Sequence, residues 1–171
     1  MRFAGLFTIA ILLMSAVSMS AQDNRVDFSG EWVLNTDKSD LGRGPRGRGG
    51  GMSPSQLIIE QKENQLVVKA FRKNRSGEDV TTESTYALDG KKSENKRGFG
   101  KQVSVTEWSE DGQTLKISST MTMSRGDRKF TMESTETWAL SKSTLIIETT
   151  RSTPMGEMTS KLVYEKAQEP E

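Results

Sequence analysis

The sequence predicts a small all-β protein whose strands form a single up-and-down antiparallel meander that closes into a barrel. Apolar and polar residues alternate with a period of two along most of the chain, and Asp-Gly and similar tight-turn residues separate the alternating runs. No window carries the 3.6-residue period of an amphipathic helix. We therefore expect about 8–10 short strands, most of them joined by hairpin turns.

Residues 1–21 precede the predicted domain and differ from it in character. Arg2 is followed by an apolar run over 3–17, and small residues lead up to Ala21. This order of segments is typical of a secretory signal peptide that is cleaved from the mature protein. We therefore expect an exported protein, periplasmic or extracellular, with residues 22–171 as one domain and no membrane insertion after cleavage.

The elements follow in order along the mature chain. The first strand is expected over 28–35, and the Gly- and Arg-rich segment behind it is expected to form a flexible loop over 42–54, because its composition does not favour ordering. The further alternating runs cover 56–61, 65–72, 79–88, 103–108, 114–123, 129–140, 144–151 and 157–166.

Two architectures accommodate such a series of hairpins. A β-sandwich requires long connections that cross from one sheet to the other. A closed meander needs none, and it hides the sheet edges that would otherwise pair with another chain. Only one long connection is present, after the first strand. The pattern therefore favours the barrel, with the first and last strands meeting.

Charge and composition exclude several classes of function. The chain has 24 basic and 23 acidic residues, and loss of Arg2 with the signal balances them, which argues against nucleic acid as a partner. The chain has no His and no Cys, so Ser/His and Cys/His catalysis and the usual zinc sites are excluded. We expect no enzyme, no cofactor and no metal site.

Short motifs at both ends of the domain resemble those of a known family. Gly30-Glu31-Trp32 resembles the G-x-W opening of lipocalins and fatty-acid-binding proteins, and the final 163–166 segment, Val-Tyr-Glu-Lys, is similar to the end of fatty-acid-binding proteins. The chain thus resembles a lipocalin-like calycin of the exported bacterial type. The resemblance implies a barrel that binds a small molecule, with Gly30 and Trp32 in the barrel-closing motif and Lys161 as the late basic residue that packs on Trp32.

Two departures from the family affect the ligand. Fatty-acid-binding proteins carry an arginine that holds the ligand carboxylate two residues before the final tyrosine, whereas this chain has Leu162 there. They also insert two helices after the first strand, where this chain has the Gly/Arg-rich segment. The resemblance therefore does not transfer the fatty-acid mode of carboxylate binding.

Alternation places a set of candidate ligand-binding side chains on the inward face. The candidates are Met121, Met123, Met132, Glu136, Trp138 and Arg151. Methionine suits adaptable binding surfaces, and a barrel of more than eight strands is wide enough for a cavity. Core filling is the alternative for the Met and Trp side chains. An inward Glu136 needs a partner, and Arg151 on the next strand is a candidate; a structural pair or a one-residue register shift is the alternative.

Three functions are compatible with these observations. The predicted function is that of an exported binding protein for a small hydrophobic or amphipathic molecule. The first alternative is a non-catalytic structural or interaction protein of the envelope, which has a protein partner and no cavity. The second alternative is an enzyme that uses carboxylates alone, for which Glu136 is the first residue to test.

Overall fold

The computed structural model describes residues 24–42, 53–74, 76–98, 100–125, 128–153 and 156–168. The expected signal peptide over 1–21 and most of the expected 42–54 loop lie outside these ranges. Within them, no helix is long and apolar enough to cross a membrane.

All secondary-structure elements of the described ranges are strands or turns. The strands are β1 (Gly30–Leu34), β2 (Gln56–Lys62), β3 (Gln65–Lys73), β4 (Asp79–Ala87), β5 (Ser93–Arg97), β6 (Gly100–Trp108), β7 (Thr114–Arg125), β8 (Arg128–Ser141), β9 (Thr144–Thr153) and β10 (Gly156–Lys166).

The ten strands belong to one antiparallel sheet in the order β4-β3-β2-β1-β10-β9-β8-β7-β6-β5. The first and last strands are therefore neighbours, with Trp32 opposite Lys166. This arrangement confirms the all-β meander and the pairing of the first strand with the last. The single sheet excludes the sandwich alternative.

The ring has one seam, between β4 and β5, where backbone pairing is replaced by side-chain hydrogen bonds. The Asn95 side chain accepts from the Thr85 amide at 2.8 Å and donates to the Thr85 carbonyl at 3.0 Å. Ser93 Oγ accepts from the Ala87 amide at 2.7 Å. These bonds imitate a strand ladder and leave the barrel nearly closed.

The strand links fall at two ends, because neighbouring strands run in opposite directions. We call the end with the β2–β3, β4–β5, β6–β7 and β8–β9 links the closed end, and the other the open end. Residues 24–29 cover the closed end, where Phe28 stacks on Trp108 and meets Trp138 edge-on, each with ring centroids 5.9 Å apart. Trp32 Nε1 donates to the Phe28 carbonyl at 3.0 Å. The closed end is therefore sealed by aromatic side chains.

The hydrophobic core lies in the closed half of the ring. Burial of each large apolar side chain contributes about 1.5–3 kcal/mol to folding. The largest fully buried side chains of the core are those of Trp32, Tyr164, Phe28, Ile59, Leu66, Leu115, Ile117 and Leu145. Inward residues of the open half include the small polar Ser84, Ser104, Ser119 and Thr149. Because such side chains are short, they leave space inside the ring.

The basic residue that packs on Trp32 is Lys166, not Lys161. Lys166 Nζ lies 5.8 Å from the centroid of the Trp32 ring, whereas Lys161 is exposed and pairs with Glu148 at 3.1 Å. Successive side chains of a strand point to opposite faces of the sheet. Lys166 therefore lies on the inward face of β10 with Tyr164, and Lys161 lies on the outward face. Gly30 is required beside it, since φ is +137° there and a Cβ would lie 3.1 Å from Lys166 Cε.

Candidate functional site: the barrel cavity

The open half of the barrel contains a cavity of about 520 Å³ that is open to solvent. The cavity extends from Trp138 in the hydrophobic core to residues beside the strand links of the open end, such as Arg72, Arg151 and Met158. This volume lies within the range of roughly 300–1,000 Å³ that is typical of small-molecule sites.

One wall of the cavity is apolar. It is formed by inward side chains of β2, β3, β9 and β10, whereas Arg72 on β3 and Arg151 on β9 line the cavity nearer the open end. The side chains of the apolar wall are Leu57, Val68, Ala70, Ile147 and Leu162. An apolar ligand surface placed here would leave water, at a gain of about 25 cal/mol for each Å² removed.

The opposite wall is polar and is organised around Arg97 on β5. Its Nε donates to Gln102 Oε1 at 2.7 Å, and its terminal nitrogens donate to Ser84 Oγ and to the Glu83 carbonyl. Gln102 Nε2 in turn donates to Ser119 Oγ at 2.9 Å. These bonds fix the guanidinium of Arg97 at the edge of the cavity and tie β5 to β4 across the seam.

Glu136 places a carboxylate in the cavity wall. Its Oε2 accepts a hydrogen bond from Trp138 Nε1 at 2.9 Å. Burial raises the pKa of the Glu136 carboxyl above its usual 4.5, and this effect outweighs the lowering by the Trp138 hydrogen bond and by the charges of Arg151 and Arg97. Among the described residues, Glu136 forms no ion pair within 4.0 Å. Its charge is therefore balanced only at a distance.

Two tyrosines complete the polar lining. Burial, with a smaller contribution from the charge of Glu136, raises the pKa of Tyr86 to about 12. The same two causes raise the pKa of Tyr164, whose hydroxyl donates to the Pro54 carbonyl at 3.1 Å. Both phenols therefore stay neutral hydrogen-bonding groups throughout the physiological range of pH.

Comparison with known proteins identifies the fold. No family model and no curated protein sequence matches the chain. Among solved structures, it is similar to the crystal structure of zebrafish ileal bile acid-binding protein complexed with cholic acid. The TM-score is 0.52 at 18% identity, and the match covers 86% of this chain and 100% of that chain. The barrel has the calycin fold. At this level of identity the likeness concerns the fold alone.

The calycin barrel brings together three of the six ligand-binding candidates. Glu136, Trp138 and Arg151 all line the cavity. Ser134, not Glu136, lies directly opposite Arg151 in the β8–β9 ladder, which explains why no close ion pair forms. The ligand-binding role of these three residues stays a prediction.

The three methionines lie elsewhere. Met121 and Met132 are opposite each other in the β7–β8 hairpin, and Met123 is opposite Phe130. None of the three methionines lines the cavity, because this hairpin is longer than its neighbours: β9 pairs with β8 only from Glu133 onward. The methionine-bearing part of the hairpin therefore extends beyond the cavity at the open end of the calycin barrel.

Sequence reasoning missed several cavity residues. Arg72 follows Leu66, Val68 and Ala70 on the inward face of β3, so strand alternation was a sufficient signal for it. Arg97 had no such signal, because β5 is short, bears inward polar residues and was not recognised as a strand. Within the described ranges, no group of three or more acidic residues is placed to hold a metal ion.

Proposed function

We propose that this protein is an exported binding protein that holds a small, partly apolar molecule inside its calycin barrel. The observation that carries the proposal is the cavity of about 520 Å³, which has one apolar and one polar wall. A protein with the same fold was solved in complex with cholic acid, which supports the binding of a small molecule. The composition of residues 1–21 supports export. The proposal assigns no catalytic residue.

The cavity distinguishes this proposal from an envelope protein that acts through its surface alone. A surface-acting barrel has no need of an interior space, and empty space inside a protein lowers its stability. Here the cavity of the open half has an apolar wall, which includes Leu57 and Leu162, and polar or charged side chains such as Arg97 and Glu136 on another side. This distribution suits a ligand with two chemically different faces.

The test is a fluorescence titration with N-phenyl-1-naphthylamine, a neutral apolar probe. We expect a saturable increase in fluorescence with one probe per protein. Ala70→Phe places a ring in the cavity from the apolar wall and is expected to weaken binding by about tenfold or more. The matched control is Lys69→Phe, the next residue on β3, whose side chain lies outside the barrel and pairs with Glu83 at 3.8 Å.

Binding that is saturable in the wild type, lost in Ala70→Phe and kept in Lys69→Phe supports the proposal. Absence of saturable binding in the wild type, or equal binding by both variants, overturns it. Far-ultraviolet circular dichroism of each variant shows whether the barrel is intact.

A further inference from the structure

This inference rests on the proposed binding function and concerns its regulation. We propose that the cavity binds an anionic group of its ligand in the field of Arg97 and Arg151, and that Glu136 takes up a proton when this group binds. Affinity for an anionic ligand is then coupled to pH through one carboxyl group inside the barrel.

The charged side chains of the cavity lining are mostly positive. Three guanidinium groups, those of Arg72, Arg97 and Arg151, line the cavity together with a single carboxyl group, that of Glu136. No other acidic side chain lines the cavity among the described residues. A concave site with an excess of positive charge and low-dielectric walls attracts anions.

Glu136 lies in the field of two of these arginines, Arg97 and Arg151. Arg97 is held at the wall by hydrogen bonds to Ser84, Gln102 and the Glu83 carbonyl. Glu136 interacts electrostatically with both Arg97 and Arg151 but is bonded to neither within 4.0 Å. An entering anion therefore shares the same positive field with the Glu136 carboxylate.

Repulsion between the bound anion and Glu136 sets the direction of the coupling. Two negative charges in one partly desolvated cavity repel each other, and protonation of the weaker acid relieves the repulsion. Burial already raises the pKa of Glu136, and a bound anion raises it further. By linkage, affinity for the anion rises as the pH falls through the range in which Glu136 takes up its proton.

The two tyrosines of the cavity do not gain or lose a proton at neutral or acidic pH. Tyr86 has its pKa raised to about 12, and the pKa of Tyr164 is raised as well. The strand neighbours of Glu136, Ile117 on β7 and Thr149 on β9, carry no ionisable group. The chain contains no histidine. In the part of the chain that the structure describes, the titratable and charged groups of the cavity are Arg72 on β3, Tyr86 on β4, Arg97 on β5, Glu136 on β8, Arg151 on β9 and Tyr164 on β10.

The experiment compares two probes that share one aromatic framework. They are N-phenyl-1-naphthylamine, which is neutral, and 8-anilino-1-naphthalenesulfonate, whose sulfonate stays ionised throughout. Dissociation constants are measured between about pH 5 and about pH 8. We expect the sulfonate probe to bind about fivefold or more tightly at the lower pH, and the neutral probe to bind equally at both. Calorimetry of the sulfonate probe in two buffers of different ionisation enthalpy measures the proton uptake directly.

The variant that isolates the carboxyl is Glu136→Gln, whose amide oxygen can still accept from Trp138. We expect this variant to bind the sulfonate probe at all pH values as tightly as the wild type does at low pH, without proton uptake. The matched control is Glu148→Gln on β9, where the carboxylate is exposed and pairs with Lys161 at 3.1 Å. This control is expected to keep the pH dependence of the wild type.

The outcomes separate the two proposals. If neither probe binds inside the barrel, the proposed function fails. If the neutral probe binds but the sulfonate probe shows no pH dependence and no proton uptake, the coupling fails while the function stands. Retention of the full pH dependence by Glu136→Gln also overturns the coupling. Proton uptake by the wild type can be measured whether or not the variant folds.

Discussion

Glu136 is the interior residue whose charge is expected to lower the stability of the fold. Its carboxyl lies inside the barrel with one hydrogen bond, from Trp138, and no ion pair within 4.0 Å among the described residues. An ionised group in such a position is less well solvated than in the unfolded chain. Retaining it therefore lowers the free energy of unfolding once the group is charged.

Replacing Glu136 by Gln tests this cost. The folded pKa is raised above the unfolded value of 4.5, so the stability contributed by the protonated carboxyl is fully present below pH 4.5 and is lost as the pH rises through the folded pKa. We expect Glu136→Gln to exceed the wild type in free energy of unfolding at about pH 8, by roughly 1 kcal/mol, and to match it near pH 4.5.

Urea unfolding at both pH values measures this difference. The control is Glu133→Gln on the same strand, where the side chain is exposed and no pH-dependent difference of this size is expected. A free-energy difference for Glu136→Gln that is the same at both pH values would contradict the interpretation of the interior carboxyl.

In this fold, alternate residues of each strand point into the barrel or out of it, and this determines which side chains can contact the core. A basic residue of the last strand packs on Trp32, as the resemblance implies, but it is Lys166 and not Lys161. The side chain of Lys161 points out of the barrel. Leu162, Tyr164 and Lys166 form the inward series of β10, and Lys166 lies opposite Trp32. The sequence contained this information, since a shift of one residue changes the face of every side chain in a strand.

The seam is the feature of the strands that sequence patterns do not reveal. Strand β5 has no apolar inward residue; Ser93, Asn95 and Arg97 point toward β4 and the interior. A search for alternating apolar residues therefore passes over it. The same polar side chains form the hydrogen bonds that replace backbone pairing between β4 and β5. The residues that make β5 hard to recognise in the sequence therefore also hold it beside β4.

Truncation of Asn95 tests whether side chains close the ring. Asn95→Ala removes both hydrogen bonds to Thr85 and leaves a part-buried amide and carbonyl without their partner. We expect a loss of about 2 kcal/mol in the free energy of unfolding, and faster hydrogen exchange of the Thr85 amide. The neighbouring Lys96→Ala removes an exposed side chain from β5 and is the matched control.

Two results would count against this account of the seam. The first is Asn95→Ala with the stability of Lys96→Ala. The second is Asn95→Ala with unchanged exchange of Thr85 despite a loss of stability.

For the whole molecule, the closed meander was predictable and the position of the cavity was not. Period-two alternation, tight turns and a single long connection determine an up-and-down sheet, and the ring of ten strands confirms it. The space inside depends on strand lengths and register. Three methionines occupy inward positions of the β7–β8 hairpin, but this part of the hairpin extends beyond the cavity: Met121, Met123 and Met132. Arg97 lines the cavity from β5, a strand that the alternation of apolar residues does not predict.

The barrel as a whole divides into two halves with different tasks. The closed half buries the large aromatic and aliphatic side chains and supplies most of the hydrophobic stabilisation. The open half carries short polar residues, charged groups and the cavity, and so contributes less to stability.

A crystal structure of the protein grown with ω-bromododecanoate tests the central claim most directly, because bromine can be located by its anomalous scattering. We expect a bromine peak inside the ring against the apolar wall formed by Leu57, Val68 and Leu162, with the carboxylate near Arg97 and Arg151. An interior filled by side chains, with bromine only on the outer surface or nowhere, would contradict it.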